Sequence, residues 1–339
     1  TALPKFLNGT QYMQWYNRAR ELDGLNTPEN PYFTDEEIAM TMNGDPTDGY
    51  ENTNWMEPLD RMAPMHQHNL SVTGGNDNVK YYVSGGYMDQ RGFIRDFKMQ
   101  RGNFRSNVDV KATEDISVTL NVSGRLENSY RPGGISYNNQ EYNNVVGVLM
   151  YAAPFVPLEY QGLPTSGYRG GSNPLYAAKN SGFADNQKLY LETFAKVEYR
   201  LPWVKGLKAS MSVGFDLNDG QGKTFNYSYE IMKYYVGEKT YKREWAGGLT
   251  ENGNMYVGNT RSQQVVLRPT VEYSNTFGKH DVSAMFLYEQ TQIKGTELSG
   301  SRNGFKLFDI PELNFGDSFP ATANGGKSSN SAAAGYVGR

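Results

Sequence analysis

Asp115 to Glu127 read Asp-Ile-Ser-Val-Thr-Leu-Asn-Val-Ser-Gly-Arg-Leu-Glu, and this stretch decides the fold. Apolar and polar residues alternate along it one by one. Because successive side chains of a β-strand point to opposite faces, the pattern predicts a strand with one apolar and one polar face. The apolar face would carry Ile116, Val118, Leu120, Val122, Gly124 and Leu126, and the polar face Ser117, Thr119, Asn121, Ser123, Arg125 and Glu127.

The same alternation recurs along the chain and predicts eight strands, most of them about ten residues long. A tilted strand needs roughly 9–11 residues to cross a bilayer, so these lengths suit membrane spans. A ninth strand would begin at about residue 335, after a small and polar tail. The eight strands are predicted at residues 68–75, 79–88, 101–111, 115–127, 189–200, 207–218, 264–277 and 281–290.

The connections between these strands alternate between short and long. Soluble antiparallel sheets also alternate apolar and polar residues, so the connections distinguish the two classes. Outer-membrane barrels have short periplasmic turns and long extracellular loops. The predicted fold class is therefore all-β, a segment of a transmembrane antiparallel β-barrel with long extracellular loops. The short connections are Asn76–Asn78, Ala112–Glu114, Leu201–Gly206 and Gly278–His280, and the longest are Asn128–Lys188, Asp219–Gln263 and Thr291–Asn330.

The composition of the 339 residues excludes several other classes. Aromatic residues make up 13% of the chain, which is too many for a disordered protein. The net charge of -3 argues against a nucleic-acid partner. Because cysteine is absent, disulfides, thiolate metal sites and cysteine nucleophiles are excluded. There is no apolar run long enough for a membrane-spanning helix, and Thr1 opens a polar segment, so we expect no signal peptide.

The chain is predicted to divide into an extracellular loop region with short helices, residues 1–67, and a partial β-barrel, residues 68–339. Helical spacing predicts a helix over Thr10–Leu22, with Thr10 as its N-cap. Thr34–Glu37 match a capping box that opens a second short helix. A third helix is expected at Glu141–Ala153. Since the chain begins in a polar loop and stops as a strand opens, we expect a piece of a larger barrel.

Several runs of residues resemble one family when they are taken together and in order. Ala63–Gly75 and Val79–Tyr87 are similar to the early-barrel motif of SusC/RagA-type TonB-dependent transporters. Each motif alone is weak, but the combination covers most of the chain. The other matching runs are Leu3–Phe6, Asn52–Trp55, Gln90–Ile94, Arg101–Asp109, Asn275–His280 and Tyr288–Gln290.

The resemblance implies a function that alternation cannot show. It implies TonB-dependent import of a nutrient, an oligosaccharide first and a peptide second, across the outer membrane of a Gram-negative, Bacteroidetes-type bacterium. It also implies a plugged barrel, a SusD-like lid lipoprotein as partner and a dimer of transporter–lid pairs. The plug and the segment that TonB pulls would precede Thr1, so no residue here takes their roles. An enzyme activity and a cofactor are not expected.

Three local patterns are better explained as ordinary loops and strands. Gly222-Lys223-Thr224 and Gly326-Lys327-Ser328 end like a phosphate-binding loop, but Leu217 and Ala321 stand where that motif needs glycine. His66 and His68 share a strand face and could hold a metal with His280, but a closed zinc site needs four ligands. Asn43, Asp45, Asp48 and Gly49 resemble part of a calcium loop with the wrong spacing, which favours a tight turn.

Aromatic and polar residues of the long loops are the predicted substrate contacts. Aromatic faces stack on sugar rings, and arginine supplies directed hydrogen bonds that would also suit a peptide. The alternative is that these side chains hold the loops together or contact the lid protein. The predicted set is Tyr130, Arg131, Tyr137, Tyr142, Tyr168, Arg169 and Trp245.

Charged residues of both signs follow the polar faces of the predicted strands. A selective ion channel would show a single sign, so the mixture favours contact with a polar plug. Two other functions stay open: a receptor or porin of the outer membrane without a lid, and a soluble β-rich surface module for binding or adhesion. The charged residues are Arg105, Asp109, Lys111, Arg125, Glu127, Lys196, Glu198, Arg200 and Lys208.

Overall fold

The computed structural model describes residues 6–44, 49–57, 59, 62–94, 96–133, 147–166, 173–246 and 252–338. Nine long strands form one sheet in the order β1-β2-β3-β4-β7-β8-β11-β12-β13, and all neighbours in it are antiparallel. The strands are β1 Met65–Gly75, β2 Val79–Arg91, β3 Lys98–Lys111, β4 Ile116–Pro132, β5 Glu159–Tyr160, β6 Leu163–Ser166, β7 Gly182–Arg200, β8 Leu207–Asn226, β9 Glu230–Tyr235, β10 Thr240–Trp245, β11 Gly253–Phe277, β12 His280–Phe305 and β13 Ala321–Gly338.

The remaining elements lie in the connections and before the first long strand. A small sheet has the order β10-β9-β6-β5. The helices are α1 Gly9–Leu22, α2 Asp35–Asn43 and α3 Pro174–Asn180. A 3-10 turn covers Leu313–Phe315, and residues 147–151 are helical within the range predicted for the third helix.

The long strands extend beyond the predicted strands, mostly toward the long connections. Strand β12, expected to stop at residue 290, continues to Phe305, and β11 begins at Gly253 rather than at residue 264. Strand β13 begins at Ala321, not at about residue 335. Its small and polar residues lack apolar alternation, but their backbone pairs with β12 from Arg302 opposite Ala321 onward. Beyond the apolar band both faces are polar, so periodicity gives no signal there.

Strand pairing puts the apolar residues of neighbouring strands side by side. One row runs Val79, Val110, Val118, Val197 and Met211 across five strands. We call this side of the sheet the apolar face, and the other side the polar face. On the apolar face, nonpolar residues fill residues 116–126 of β4 and 207–217 of β8. Each band matches the roughly 9–11 residues of a tilted membrane-spanning strand.

The four predicted short turns all lie at one end of the sheet, because neighbouring strands are antiparallel and these turns are alternate connections. At the other end the connection between β2 and β3, residues 92–97, is no longer than the turn at 201–206, so the predicted alternation of short and long connections is not strict. At the first turn the side-chain oxygen of Asn76 accepts hydrogen bonds from the backbone of Asn78 (2.9 Å) and Val79 (2.8 Å). Near the third turn the rings of Tyr199 and Trp203 are 6.0 Å apart. Aromatic side chains are typical of the membrane interface of such barrels.

At the other end the connections pack into one unit, here called the loop body: residues 6–44, 49–57, 92–94, 96–97, 147–166, 173–181 and 227–246. Its core contains Met13, Phe33, Trp55, Phe155 and Tyr234, which are all buried. Buried Ile94, from the connection between β2 and β3, joins the same cluster. Since these side chains come from four separate parts of the chain, the loops form a packed structure above the sheet.

Backbone hydrogen bonds hold the N-terminal segment to the loop between β4 and β7. The amide of Thr53 donates to the carbonyl of Pro154 (2.7 Å), and that of Glu51 donates to Phe155 (3.0 Å). The amide of Gly9 donates to the side-chain oxygen of Asn52 (2.9 Å).

Both N-terminal helices begin with capping boxes, one of them not where it was predicted. Asn8, rather than Thr10, is the N-cap of α1: its side-chain oxygen accepts from the amide of Gln11 (2.8 Å), and Gln11 accepts from the amide of Asn8 (3.2 Å). Thr10 lies inside the helix and donates to the same oxygen of Asn8 (2.9 Å). Thr34 caps α2 with Glu37, as the sequence predicts.

The assignment of faces can be tested with paired substitutions in the full-length protein. Val118→Arg and Val213→Arg put a charge on the apolar face and should cost about 2–4 kcal/mol each at the bilayer midplane. The measurement is the fraction of protein in the outer membrane that shows heat-modifiable migration on gels. Ser117→Arg, on the polar face, is the matched control and should assemble normally. Equal losses for all three variants would refute the assignment.

Candidate functional site

Near the loop end of the sheet, the polar face contains a groove of about 570 Å³. It crosses β7, β8, β11, β12 and β13, and two neighbouring rows of polar-face residues border it. Glycines let neighbouring hydroxyl side chains lie close to the backbone of the sheet: a Cβ at Gly220 would approach Thr260 Oγ1 to 3.0 Å, and one at Gly295 would approach Ser329 Oγ to 2.7 Å. The polar-face residues that line the groove are Lys188, Tyr190, Asn218, Gly220, Thr260, Ser262, Gly295, Glu297 and Ser329.

Tyr190 is the aromatic residue of this groove, and Arg125 of β4 fixes one side of its ring. The guanidinium carbon of Arg125 lies 4.2 Å from the ring centroid, which is a cation–π contact. Arg125 also pairs with Glu127 at 3.4 Å. These contacts hold Arg125 against the ring, so Tyr190 is positioned before any ligand arrives.

Polar groups surround Tyr190 in the groove. Asn218 supplies an amide, and Thr260 and Ser262 supply hydroxyl groups that both donate and accept hydrogen bonds. Lys188 and Glu297 add one charge of each sign. An aromatic ring bordered by amides and hydroxyls can bind a sugar or a peptide backbone, since both need directed hydrogen bonds and apolar contact.

The loop residues predicted to contact substrate have different positions. Tyr130 and Arg131 are consecutive in β4, so they lie on opposite faces of the sheet. The ring of Tyr130 stacks on Phe183 of the apolar side at 6.0 Å, whereas Arg131 lies on the polar side, opposite Ala184. Trp245 ends β10 in the small sheet, opposite Glu230. Tyr137, Tyr142, Tyr168 and Arg169 lie outside the described residues.

Sequence reasoning missed the groove because it looked for binding residues in the loops. Alternation does place Tyr190 and Asn218 on the polar face. The missing signal was the position of Gly220 and Gly295, because glycine on the polar face of neighbouring strands lets the hydroxyl groups of Thr260 and Ser329 lie close to the backbone.

A partly buried ion pair connects the N-terminal segment to the loop between β8 and β11. The Glu37 carboxylate accepts hydrogen bonds from Lys239 Nζ (2.8 Å), the Tyr50 hydroxyl (3.0 Å) and the Thr34 amide (2.7 Å). Burial alone would raise the pKa of Glu37, but these three donors outweigh it and hold the pKa below its usual value. Helix α2 is thereby attached to the turn between β9 and β10.

The ring of Tyr32 also contacts Lys239 of this ion pair. Lys239 Nζ lies 4.7 Å from the centroid of the Tyr32 ring. Burial raises the pKa of the Tyr32 hydroxyl to about 12, with a smaller contribution from Tyr16, so the phenol stays neutral at physiological pH.

Metal binding finds no support in the part of the chain that the structure describes, where no three histidine, aspartate or glutamate residues form a possible metal-binding group. His66 lies opposite Asp89 and His68 opposite Tyr87, while His280 begins β12. Of the residues that resemble part of a calcium loop and are predicted to form a tight turn, Asp45 and Asp48 lie outside the described residues. Within the same described part, none of the helices has the length and apolar character that a membrane span requires.

Comparison with known proteins gives two kinds of similarity. No family model matches the chain. The TonB-dependent receptor P3 of Formosa agariphila is 27% identical over 267 residues, covering 75% of this chain and 24% of that protein. The TonB-dependent receptor SusC of Bacteroides thetaiotaomicron is 23% identical over 287 residues, which cover 76% of this chain and 25% of that protein. The curated proteins that this chain resembles are TonB-dependent receptors, and SusC is one of them.

Structural comparison agrees with this similarity. The structure of the RagAB peptide importer in the closed-closed state superposes with a TM-score of 0.67 and 17% identity, covering 98% of this chain and 37% of the matched chain. The shared fold confirms the predicted fold class, since the nine-stranded antiparallel sheet matches a segment of a β-barrel. The named SusC/RagA-type relatives are receptors and transporters, not enzymes. The chain spans about a quarter of the length of the curated relatives it matches.

The Glu37–Lys239 pair can be tested by hydrogen exchange in the detergent-solubilised full-length protein. Glu37→Gln keeps a capping residue but removes the charge, so it should loosen residues 35–43 and 236–245 by about 1–2 kcal/mol. Because the folded pKa of Glu37 is lowered, its contribution is present above the ordinary value of 4.5 and is lost as pH falls through the folded pKa. Protection of these residues against hydrogen exchange should therefore decline in acid in the wild type. In Glu37→Gln it should not change with pH in this way.

The control is Glu36→Gln, which removes an exposed charge from the same helical turn. It should leave protection unchanged. If Glu37→Gln exchanges like the control at neutral pH, the ion pair does not hold the loop body together.

Proposed function

We propose that this chain is part of a TonB-dependent importer in the outer membrane of a Gram-negative, Bacteroidetes-type bacterium, and that its substrate is an oligosaccharide. The observation that carries the proposal is the polar-face groove, which lies near the loop end of a barrel segment whose long connections form one loop body. A concave polar surface there is where a ligand entering from outside would be held.

Import would use groups both within and outside this chain. The ligand would be held between the loop body, the groove and a plug that precedes this part of the protein. TonB would then disturb the plug and release the ligand inward. The role of this chain's residues is to bind and orient: Tyr190 offers a ring face, and Asn218, Thr260 and Ser262 offer hydrogen bonds. The mixed charges of the polar face, such as Lys196 and Glu198 at 3.0 Å, suit contact with a polar plug.

The loop residues singled out from the sequence contribute further contacts in this proposal. Arg131 lies on the polar side of β4 and would approach the same ligand from the loop end. Tyr137, Tyr142, Tyr168, Arg169 and Trp245 are proposed as additional contacts from the connections. Tyr130 is not included in this role, because its ring lies on the apolar side.

A peptide is the second candidate substrate. The solved structure that resembles this chain is named as a peptide importer. The groove also contains Lys188 and Glu297, which could pair with the carboxylate and amino termini of a short peptide.

A SusD-like lipoprotein is the proposed partner over the loop body, in a dimer of transporter–lid pairs. Helix α1 buries Met13 but exposes Trp15 and Leu22, which are 63% and 72% exposed and lie seven residues apart on one stripe. Exposed large apolar side chains at this spacing favour a protein contact. A receptor without a lid, or a porin, would be extracted alone.

The first experiment is native mass spectrometry of the full-length protein extracted from its own outer membrane with detergent. We expect a complex that contains a lipoprotein and a small ligand, whose mass would distinguish an oligosaccharide from a peptide. A chain that needs no detergent would favour the soluble surface module. A chain that is extracted alone, without lipoprotein or ligand, would favour the porin.

The groove itself is tested with Tyr190→Ala and binding calorimetry, with the copurified ligand class as titrant. Loss of ring contact should weaken binding about tenfold, which corresponds to about 1.4 kcal/mol. Tyr81→Ala removes a tyrosine from the apolar face and should bind like wild type. If both variants bind equally well, the ligand does not occupy this groove.

A further inference from the structure

A second groove lies on the opposite side of the sheet, with a volume of about 770 Å³. It crosses the apolar face of β1, β2, β3, β4 and β7. Its walls are large apolar side chains, among them Leu70, Tyr87, Phe104 and Leu126. Leu70 is 75% exposed and Phe104 49% exposed, so the structure leaves these walls uncovered.

Glycines on neighbouring strands form the floor of this groove. No atom lies within 4 Å of the point where a side chain at Gly102 would begin, and at Gly85 the nearest atom is 4.0 Å away. Gly124 has a different role, since the ring of Phe104 lies over it and the Cβ of any larger residue would meet that ring at 2.3 Å. The resulting trough is apolar and long enough to hold a hydrocarbon chain.

Two cations lie beside each other on the same side of the sheet, closer to the loop end. Arg91 is directly opposite Lys98, and Lys98 is directly opposite Tyr130. Like charges that face each other across two strands destabilise a sheet. Among the described residues neither cation forms an ion pair, and the nearby Asp89 accepts a hydrogen bond from Gln100 at 2.8 Å. The pair is thus available to an anion.

The spacing between the cations and the groove fits one amphipathic ligand. Lys98 and Gly102 are four residues apart in β3, which is about 13 Å along a strand. Lys98 Nζ lies 5.7 Å from the Tyr130 ring centroid, and that ring is stacked on Phe183, so the cation is held on the apolar side. An acyl chain in the groove would place a phosphate of the same molecule near Arg91 and Lys98.

We propose that this face binds one phosphate-bearing lipid of the surrounding leaflet. Its acyl chain fills the groove over Gly85 and Gly102, and its phosphate is bound by Arg91 and Lys98. This inference rests on one part of the proposed function, namely that the apolar face lies in the membrane.

The test is lipid retention by the full-length transporter complex, measured by native mass spectrometry with phosphatidylglycerol added to delipidated protein in detergent. Wild type should bind one lipid. Arg91→Glu combined with Lys98→Glu should lower its occupancy at least tenfold, and Gly102→Leu, which fills the groove, should do the same. Two matched controls should retain the lipid: Lys279→Glu in a short turn, and Ala195→Leu on the apolar face outside the groove.

Competing ligands decide between the possible occupants. Diacylglycerol with the same chains should bind weakly, and inorganic phosphate should not compete. Equal binding of diacylglycerol would show that the cations have no role and would overturn the proposal. The proposal would also be overturned if a second copy of the chain occupied the groove. That outcome would be seen as a dimer that Gly102→Leu dissociates. If the wild type binds no lipid but still takes up its ligand, this inference alone is refuted, whereas a protein that needs no detergent would refute the proposed function too.

Discussion

Strand register is the constraint on which the rest of this structure depends. Because side chains alternate with a period of two, a slip of one residue between any two long strands would turn the apolar residues of one strand to the polar face. The row from Val79 through Val110, Val118 and Val197 to Met211 exists only in one register. Both grooves depend on it as well, since each is formed by residues that five neighbouring strands bring into adjacent rows.

The strands could be predicted wherever the two faces meet different surroundings. Val118 and Ser117 meet different surroundings, so the sequence alternates there; Ala321 to Ala334 do not alternate, and the start of β13 was missed although its backbone pairs with β12. Helix α2 was found through the chemistry of Thr34 and Glu37, whereas Asn8 took the capping role expected of Thr10. Local patterns identify elements of this kind but not how far a strand extends.

The candidate site could be predicted only in its residue types, not in its place. Aromatic and polar side chains were expected to bind the ligand, but they were sought in the loops. The groove is instead formed by strand residues such as Tyr190 and Asn218, together with Gly220 and Gly295, over which neighbouring hydroxyl side chains lie close to the backbone. Which glycines come together depends on pairing between strands that are far apart in sequence, so no local pattern reports it. For the same reason Lys98 and Tyr130 became neighbours only when β3 paired with β4.

The contact between Glu37 and Lys239 has a consequence for the order of folding. The two residues are 202 positions apart, and most of the long strands lie between them. Closing such a distance in an unfolded chain costs conformational entropy before any contact compensates for it. Pairing of β1, β2, β3, β4, β7 and β8 brings the two residues together and so lowers this cost. We therefore expect helix α2 to reach its partner late, so that the loop body matures after the sheet beneath it has been assembled.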